Sequence, residues 1–170
     1  LPQGYDHKYT YSHLGYNLKI TDMQAACALA QMDSLEAFIA ARRRNFAWLY
    51  ARLSASCGDW LLLPEATPES NPSWFGFTLT LRDGCGIDRT ELLQHLDAHK
   101  IGTRLLFAGN LTRQPYMQAQ PYRVAGELRV TDKVMNDTFW IGLWPGLTES
   151  HLDYAASHIE AFARGKTPRT

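Results

Sequence analysis

The sequence predicts an α+β fold in which long N-terminal helices precede a small, mostly antiparallel sheet with helices packed on it. Three observations carry this expectation. Apolar residues recur at helical spacing from Met23 to Leu53, strict alternation sets in at residues 75–81, and capped helical stretches then alternate with short apolar runs. The chain divides accordingly into an extended arm ending in a polar turn (1–20), a long helical segment (21–57), an α+β small domain (58–165) and a tail (166–170).

The opening LPQGYDHKYTYS has no periodicity, no initiator methionine and no signal-peptide layout. It reads as an arm that lies on another surface, supplied by preceding sequence or by a second copy. Thr21 followed three places on by Gln24 is the spacing of a reciprocal N-terminal cap, so a helix is expected from Asp22. Met23, Ala26, Ala30, Leu35, Phe38 and Ile39 predict one buried stripe on it. Phe46, Leu49 and Leu53 continue the stripe, and Arg42, Arg43 and Arg44 read as a solvated face. The two periodic stretches are compatible with one bent rod, ended at residues 54–59 with Gly58 available for a left-handed cap.

Residues 60–63 predict a short strand closed by Pro64. Residues 73–81 predict a half-buried strand with Phe75, Phe77, Leu79 and Leu81 inward. Asp88, with Glu91 three residues later, caps a helix whose apolar face is Leu92, Leu93 and Leu96. A strand at 103–107 completes a strand–helix–strand unit. A loop rich in Gly, Asn, Pro and Tyr fills 108–123, of a length that usually serves function or a neighbour. A short helix at 131–136, a strand at 139–144 and a final helix opened by Thr148 complete the chain.

Composition narrows the function. With 45% apolar residues the chain can bury a core, and 17 basic residues against 17 acidic ones give no argument for nucleic acid or an anionic membrane as partner. The three cysteines, Cys27, Cys57 and Cys85, are widely spaced and form no CxxC pair, which fits a reducing cytoplasm better than a disulfide scaffold or a self-contained metal site. No run of about 18 apolar residues suits a membrane span. Glycine-rich nucleotide loops, HExxH and serine-elbow motifs are missing.

Some residues still point to binding. Asn17, beside Gly15 and just ahead of a helix, can donate to a phosphate or merely close an Asx turn. Lys19 suits the same anion or simple solvation. Arg104 lies in an apolar strand, where an unpaired charge is costly, so it needs either a carboxylate such as Glu127 or Asp132 or a substrate phosphate. Trp74 and Phe75 wall a pocket or belong to the core. His13 is given no catalytic role.

The stretch GYNLKITDMQAACALAQMDSLEAF closely resembles the signature of the DegT/DnrJ/EryC1/StrS family of vitamin B6-dependent sugar-nucleotide enzymes, departing at Ala28, where glycine is usual, and at Met32. Together with YDHKYTYSHLGYNLKITDMQAAC, KIGTRLLFAGNLTRQPY and MNDTFWIGLWPGLT, it is similar to the CDP-4-keto-6-deoxyglucose 3-dehydrase branch. The LFAGNL segment stands where the aminotransferase branch carries HYP-x-PLH. The resemblance implies the C-terminal small domain of a fold type I pyridoxal phosphate (PLP)-dependent transferase, and a chain that is the C-terminal portion of a longer enzyme, inactive by itself. It implies pyridoxamine (PMP) or pyridoxal 5′-phosphate and a [2Fe–2S] cluster in the full-length enzyme, neither expected to bind this chain alone. The catalytic histidine and cluster cysteines are expected upstream of Leu1, leaving no catalytic or metal-binding residue here. Tyr16, Asn17 and Lys19 are implied at the cofactor phosphate of the other subunit, and His13, Phe75, Arg104, Phe107 and Asn110 beside the sugar nucleotide. Implied partners are a second copy in a homodimer, a CDP-linked 4-keto sugar and an NADH-dependent flavin/iron–sulfur reductase. The alternatives are a sugar aminotransferase portion and a non-catalytic α+β assembly module.

Overall fold

The computed structural model describes residues 18–165, in two compact units divided between Glu36 and Ala37. The first helix, α1 (Asp22–Cys57), runs through that division without a break, so the two periodic stretches belong to one continuous helix. Its start is the predicted reciprocal cap: the Thr21 N–H donates to Gln24 Oε1 at 2.9 Å and the Gln24 N–H to Thr21 Oγ1 at 3.3 Å. Within the first unit the helix is bare. Met23 and Leu29 are 81% and 71% exposed, so the stripe expected to be buried there is uncovered in the single chain.

In the second unit the remainder of α1 buries Ala41, Asn45, Leu49, Leu53 and Cys57, a strict four-residue spacing that defines one narrow seam. It is followed by β1 (Leu61–Leu62), β2 (Gly76–Leu81), α2 (Arg89–Ala98), β3 (Thr103–Leu105), two short 3₁₀ turns (Leu111–Arg113 and Pro115–Ala119), α3 (Arg129–Asp137), β4 (Thr138–Gly142) and α4 (Glu149–Arg164). The strands form one sheet of order β1–β2–β4–β3, and every pairing is antiparallel. The last strand thus inserts between the two strands of the strand–helix–strand unit. Gly58 does not adopt the left-handed conformation expected of it; the helix closes with the Trp60 N–H on Cys57 O at 3.1 Å.

Period-two alternation gives the sheet two unlike faces. Phe77 opposite Ile141 and Leu79 opposite Phe139 point to the core, where they meet Leu49, Leu53, Leu92, Leu96, Leu152 and Ile159 from the helices. The intervening residues, Thr78, Trp140 and Arg104, stand in register across β2, β4 and β3 and therefore share the opposite face.

Helices α1 and α4 are tied by a bidentate pair. Arg52 donates to Glu160 Oε1 at 2.6 Å and to Oε2 at 3.1 Å, and the Ser56 hydroxyl adds a third bond to Oε1 at 2.8 Å. Glu160 is buried, and the hydrogen bond from Arg52, assisted by Ser56, outweighs burial and holds its carboxyl below the ordinary value of 4.5. The stability this pair contributes is complete above that ordinary value and is lost as pH falls through the depressed one. Glu160→Gln is expected to cost about 2 kcal/mol at pH 7. Urea melts should show the gap from the parent chain constant above about pH 5 and narrowing only as pH falls below 4.5.

Helices α2 and α4 also meet through aromatic rings. The His99 and His158 rings lie 3.9 Å apart, and the Tyr154 hydroxyl donates to His99 O at 3.2 Å. Burial first, and then the neighbouring His99 and His95, push His158 below the usual imidazole range.

Candidate functional site

The outer face of the sheet carries an open groove of about 610 Å³ lined by Phe75, Arg104, Leu105, Phe107 and Trp140. Three of these, Phe75, Arg104 and Phe107, are residues singled out from the sequence. Their convergence follows from the topology: Phe75 immediately precedes β2, Arg104 lies on the edge strand β3, and β4 between them supplies Trp140.

The floor is the Trp140 indole. Its Nε1–H donates to Leu105 O at 3.2 Å, and its ring centroid is 5.0 Å from that of Phe75. The indole can lie this low because residue 76 is glycine, where a Cβ would come within 2.4 Å of Trp140 Cε3. Phe75 is exposed, while Trp74 before it turns the other way and stacks on Phe46 at 4.1 Å. Trp74 is therefore a packing residue and Phe75 the groove residue.

Arg42 and Arg43 hold this segment in place. Arg42 donates to the carbonyls of Trp74 and Phe75 at 3.0 and 3.2 Å, and Arg43 to those of Asn71 and Pro72 at 2.7 and 3.3 Å. The solvated face read from the sequence is thus a clamp, because the 71–75 loop offers carbonyls that no strand satisfies. Arg44 alone of the three is exposed.

Arg104 is also corrected. On an edge strand and on the outer face it is exposed, so no buried charge forces a partner on it, and it makes no hydrogen bond or ion pair among the described residues. The carboxylates weighed as its partners are engaged elsewhere: Asp132 with Arg113 at 2.9 Å and Glu127 with Arg129 at 2.7 Å. The groove therefore presents a guanidinium among aromatic rings, an arrangement suited to a planar group bearing an anion.

Beyond Arg104 the chain turns sharply. Phe107 has a positive φ of 51°, its N–H donates to Leu105 O at 2.8 Å, and its ring is 82% exposed beside the groove. Gly109, at φ 62°, passes so close to α3 that a Cβ would lie 2.6 Å from Met135 Cγ. Asn110 is buried: its amide donates to Asp132 at 2.6 Å, and its Oδ1 accepts from the Thr112 N–H and hydroxyl. It thus anchors the foot of the turn, and its side chain is consumed within the loop. The Arg113 guanidinium, then the Asn110 amide, hold the Asp132 carboxyl below the usual carboxylate range.

Lys19 is exposed ahead of α1, in the first unit. His13, Tyr16 and Asn17 lie outside the described residues. The sequence reading did not include Leu105 or Trp140 in the site. The signal for Trp140 was available, since it alternates with the inward-facing Phe139 and Ile141.

The profile of the DegT/DnrJ/EryC1/StrS aminotransferase family matches residues 2–160. The chain is 63% identical over 162 residues to the lipopolysaccharide biosynthesis protein RfbH of Salmonella typhimurium, covering 95% of this chain and 37% of that protein. It is 51% identical over 162 residues to the dTDP-4-dehydro-2,6-dideoxy-D-glucose 3-dehydratase of Saccharopolyspora spinosa, covering 95% of this chain and 35% of that one. The chain thus spans little more than a third of these relatives. Among solved structures, Escherichia coli GDP-4-keto-6-deoxy-D-mannose-3-dehydratase with bound hydrated PLP superposes with a TM-score of 0.83 at 21% identity, covering 92% of this chain and 40% of that one. That likeness establishes the fold: the small α+β portion of a PLP-enzyme architecture.

Proposed function

Because the chain belongs to the DegT/DnrJ/EryC1/StrS aminotransferase family, we propose that it is the C-terminal part of a sugar-nucleotide 3-dehydratase and contributes substrate-holding surface to the assembled enzyme. The reaction is loss of the C3 hydroxyl from a 4-keto-6-deoxy sugar, CDP-linked in our reading, on the way to a 3,6-dideoxyhexose of lipopolysaccharide O-antigen. The relatives at 63% and 51% identity support the reaction class. One observation carries the role assigned to this chain: Arg104, unpaired among the described residues, stands in a groove walled by Phe75, Phe107 and Trp140.

The groove suits binding better than chemistry. Among the described residues its lining contains no carboxylate, histidine or lysine, hence no group there to carry a proton at neutral pH. Arg104 would take the diphosphate, while the aromatic rings would receive the base or the sugar's apolar face. Asn110 fixes the turn that presents Phe107. Lys19, Tyr16 and Asn17 are proposed at the phosphate of a vitamin B6 cofactor held by the other subunit. That cofactor supplies the electron sink for C–O cleavage when bound. Among the described residues Lys19 is the one proposed phosphate partner. Cys27 is exposed, Cys57 buried and Cys85 half-buried; in this reading a [2Fe–2S] centre and its NADH-dependent reductase would use other parts of the enzyme.

A homodimer is part of this reading. The apolar side chains left bare on the first unit, Leu18, Ile20, Met23, Leu29 and Met32, form a surface of the kind a second copy covers. No helix among the described residues is long and apolar enough to cross a membrane. We place the enzyme in the cytoplasm.

Arg104→Gln is expected to weaken CDP binding about tenfold or more, the equivalent of one lost charge-assisted hydrogen bond. Tryptophan fluorescence during CDP titration would report it through Trp140. Equal affinity of the two forms would remove the groove from substrate recognition.

A further inference from the structure

We propose that His95, His99 and His158 form a binding site for a divalent transition metal of the zinc class, held between α2 and α4. The site lies outside the groove lining and does not depend on the reading of the groove. One imidazole nitrogen from each of the three lies within 4.8 Å of the other two, and all three residues are half-buried. His95 lies in the last turn of α2 and His99 is its C-cap residue, their ring centroids 4.4 Å apart, and His158 meets them from α4 with ring centroids 5.7 and 3.9 Å away.

Two details of bonding favour a ligand over ordinary ring packing. His99 Nδ1 lies 2.8 Å from His95 O. A carbonyl only accepts, so Nδ1 carries a proton, which leaves Nε2 as the nitrogen the neutral ring would offer a metal, the orientation in which metal-bound imidazoles are commonly held by a backbone oxygen. His95 Nε2 is buried and has no hydrogen-bond partner among the described residues, a cost that coordination would remove.

The dimensions allow closure. Metal–nitrogen bonds of about 2.0–2.1 Å in a tetrahedron place ligand nitrogens about 3.4 Å apart, so the nitrogens must approach by no more than about 1.5 Å, within the reach of side-chain rotation. Three neutral imidazoles suit Zn²⁺, Ni²⁺ or Cu²⁺ and not the oxygen-seeking Mg²⁺ or Ca²⁺. Solvent reaches the half-buried cluster, leaving a fourth position for water. The bound ion would pin α2 to α4 and stiffen the side of the sheet opposite the groove.

Zn²⁺ titrated into the full chain against a chromophoric chelator should bind one ion per chain. His99→Gln and His158→Gln should each weaken binding by at least about tenfold, the smallest loss typical even of outer-shell changes. Cys27→Ser, which alters an exposed thiol that is not one of the three proposed ligands, should leave binding unchanged. Thermal melts with chelator present confirm that each variant folds. If either histidine variant fails to fold, ring-proton NMR of the unaltered chain answers the same question: Zn²⁺ should shift the signals of three of its six histidines. Unchanged affinity in both histidine variants, loss with Cys27→Ser, or no ring-proton shift would overturn the proposal.

Discussion

Phe77→Ala is expected to cost the fold about 3–5 kcal/mol, the range for emptying a large, fully buried aromatic site. Phe77 has no exposed surface; its ring is 5.2 Å from that of Phe46, which in turn stacks on Trp74. Truncation therefore removes the contact between the sheet and α1 and loosens the aromatic stack behind it. Since domains are commonly stable by only about 5–15 kcal/mol, such a loss is a large share of the total. Because Phe77 follows Phe75 and Gly76 directly, the groove should slacken with the core. Urea unfolding followed by far-UV and near-UV circular dichroism measures both effects, and a loss under 1 kcal/mol would deny Phe77 its central place.

The second large effect concerns assembly. Met23→Glu combined with Leu29→Glu is expected to weaken dimerisation at least about 30-fold, the equivalent of about 2 kcal/mol, because two carboxylates would have to be buried unpaired in an apolar contact. Both positions are exposed in the single chain, so the substitutions should leave its own thermal stability nearly unchanged. Sedimentation equilibrium separates the outcomes. A parent chain that remains monomeric at high concentration would show that nothing of its own kind covers this face.

The local signals in the sequence were reliable where a few adjacent residues decide the outcome. The Thr21–Gln24 cap, the Asp88 cap donated to by the Glu91 N–H at 3.0 Å, and the Thr148 start of α4 all depend on contacts within one helical turn. The alternation at 75–81 located β2 and its buried Phe77, Leu79 and Leu81 for the same reason, but Phe75, expected inward with them, is exposed ahead of the strand. The β-strand order was not legible, since insertion of β4 between β2 and β3 is settled by packing between distant segments. Arg42 and Arg43 were misread because their partners are backbone carbonyls of a loop some thirty residues on, which no side-chain pattern announces. Arg104 was expected to need a partner because it sits among apolar residues; on an edge strand it is exposed and its side chain is unpaired among the described residues. Likewise the helical spacing of His95 and His99 is visible in the sequence, whereas the arrival of His158 is a product of how α4 docks on α2.

The turn at Phe107 has a consequence for how this groove evolves. A bulky residue in a left-handed backbone conformation is strained by about 1–3 kcal/mol, and glycine or asparagine at that position would relax it. Drift toward greater robustness would thus erase the ring, and only selection on what the ring touches opposes that drift. Variants recovered from a purely thermal screen should accumulate at residue 107, whereas those recovered from a screen for CDP binding should avoid it.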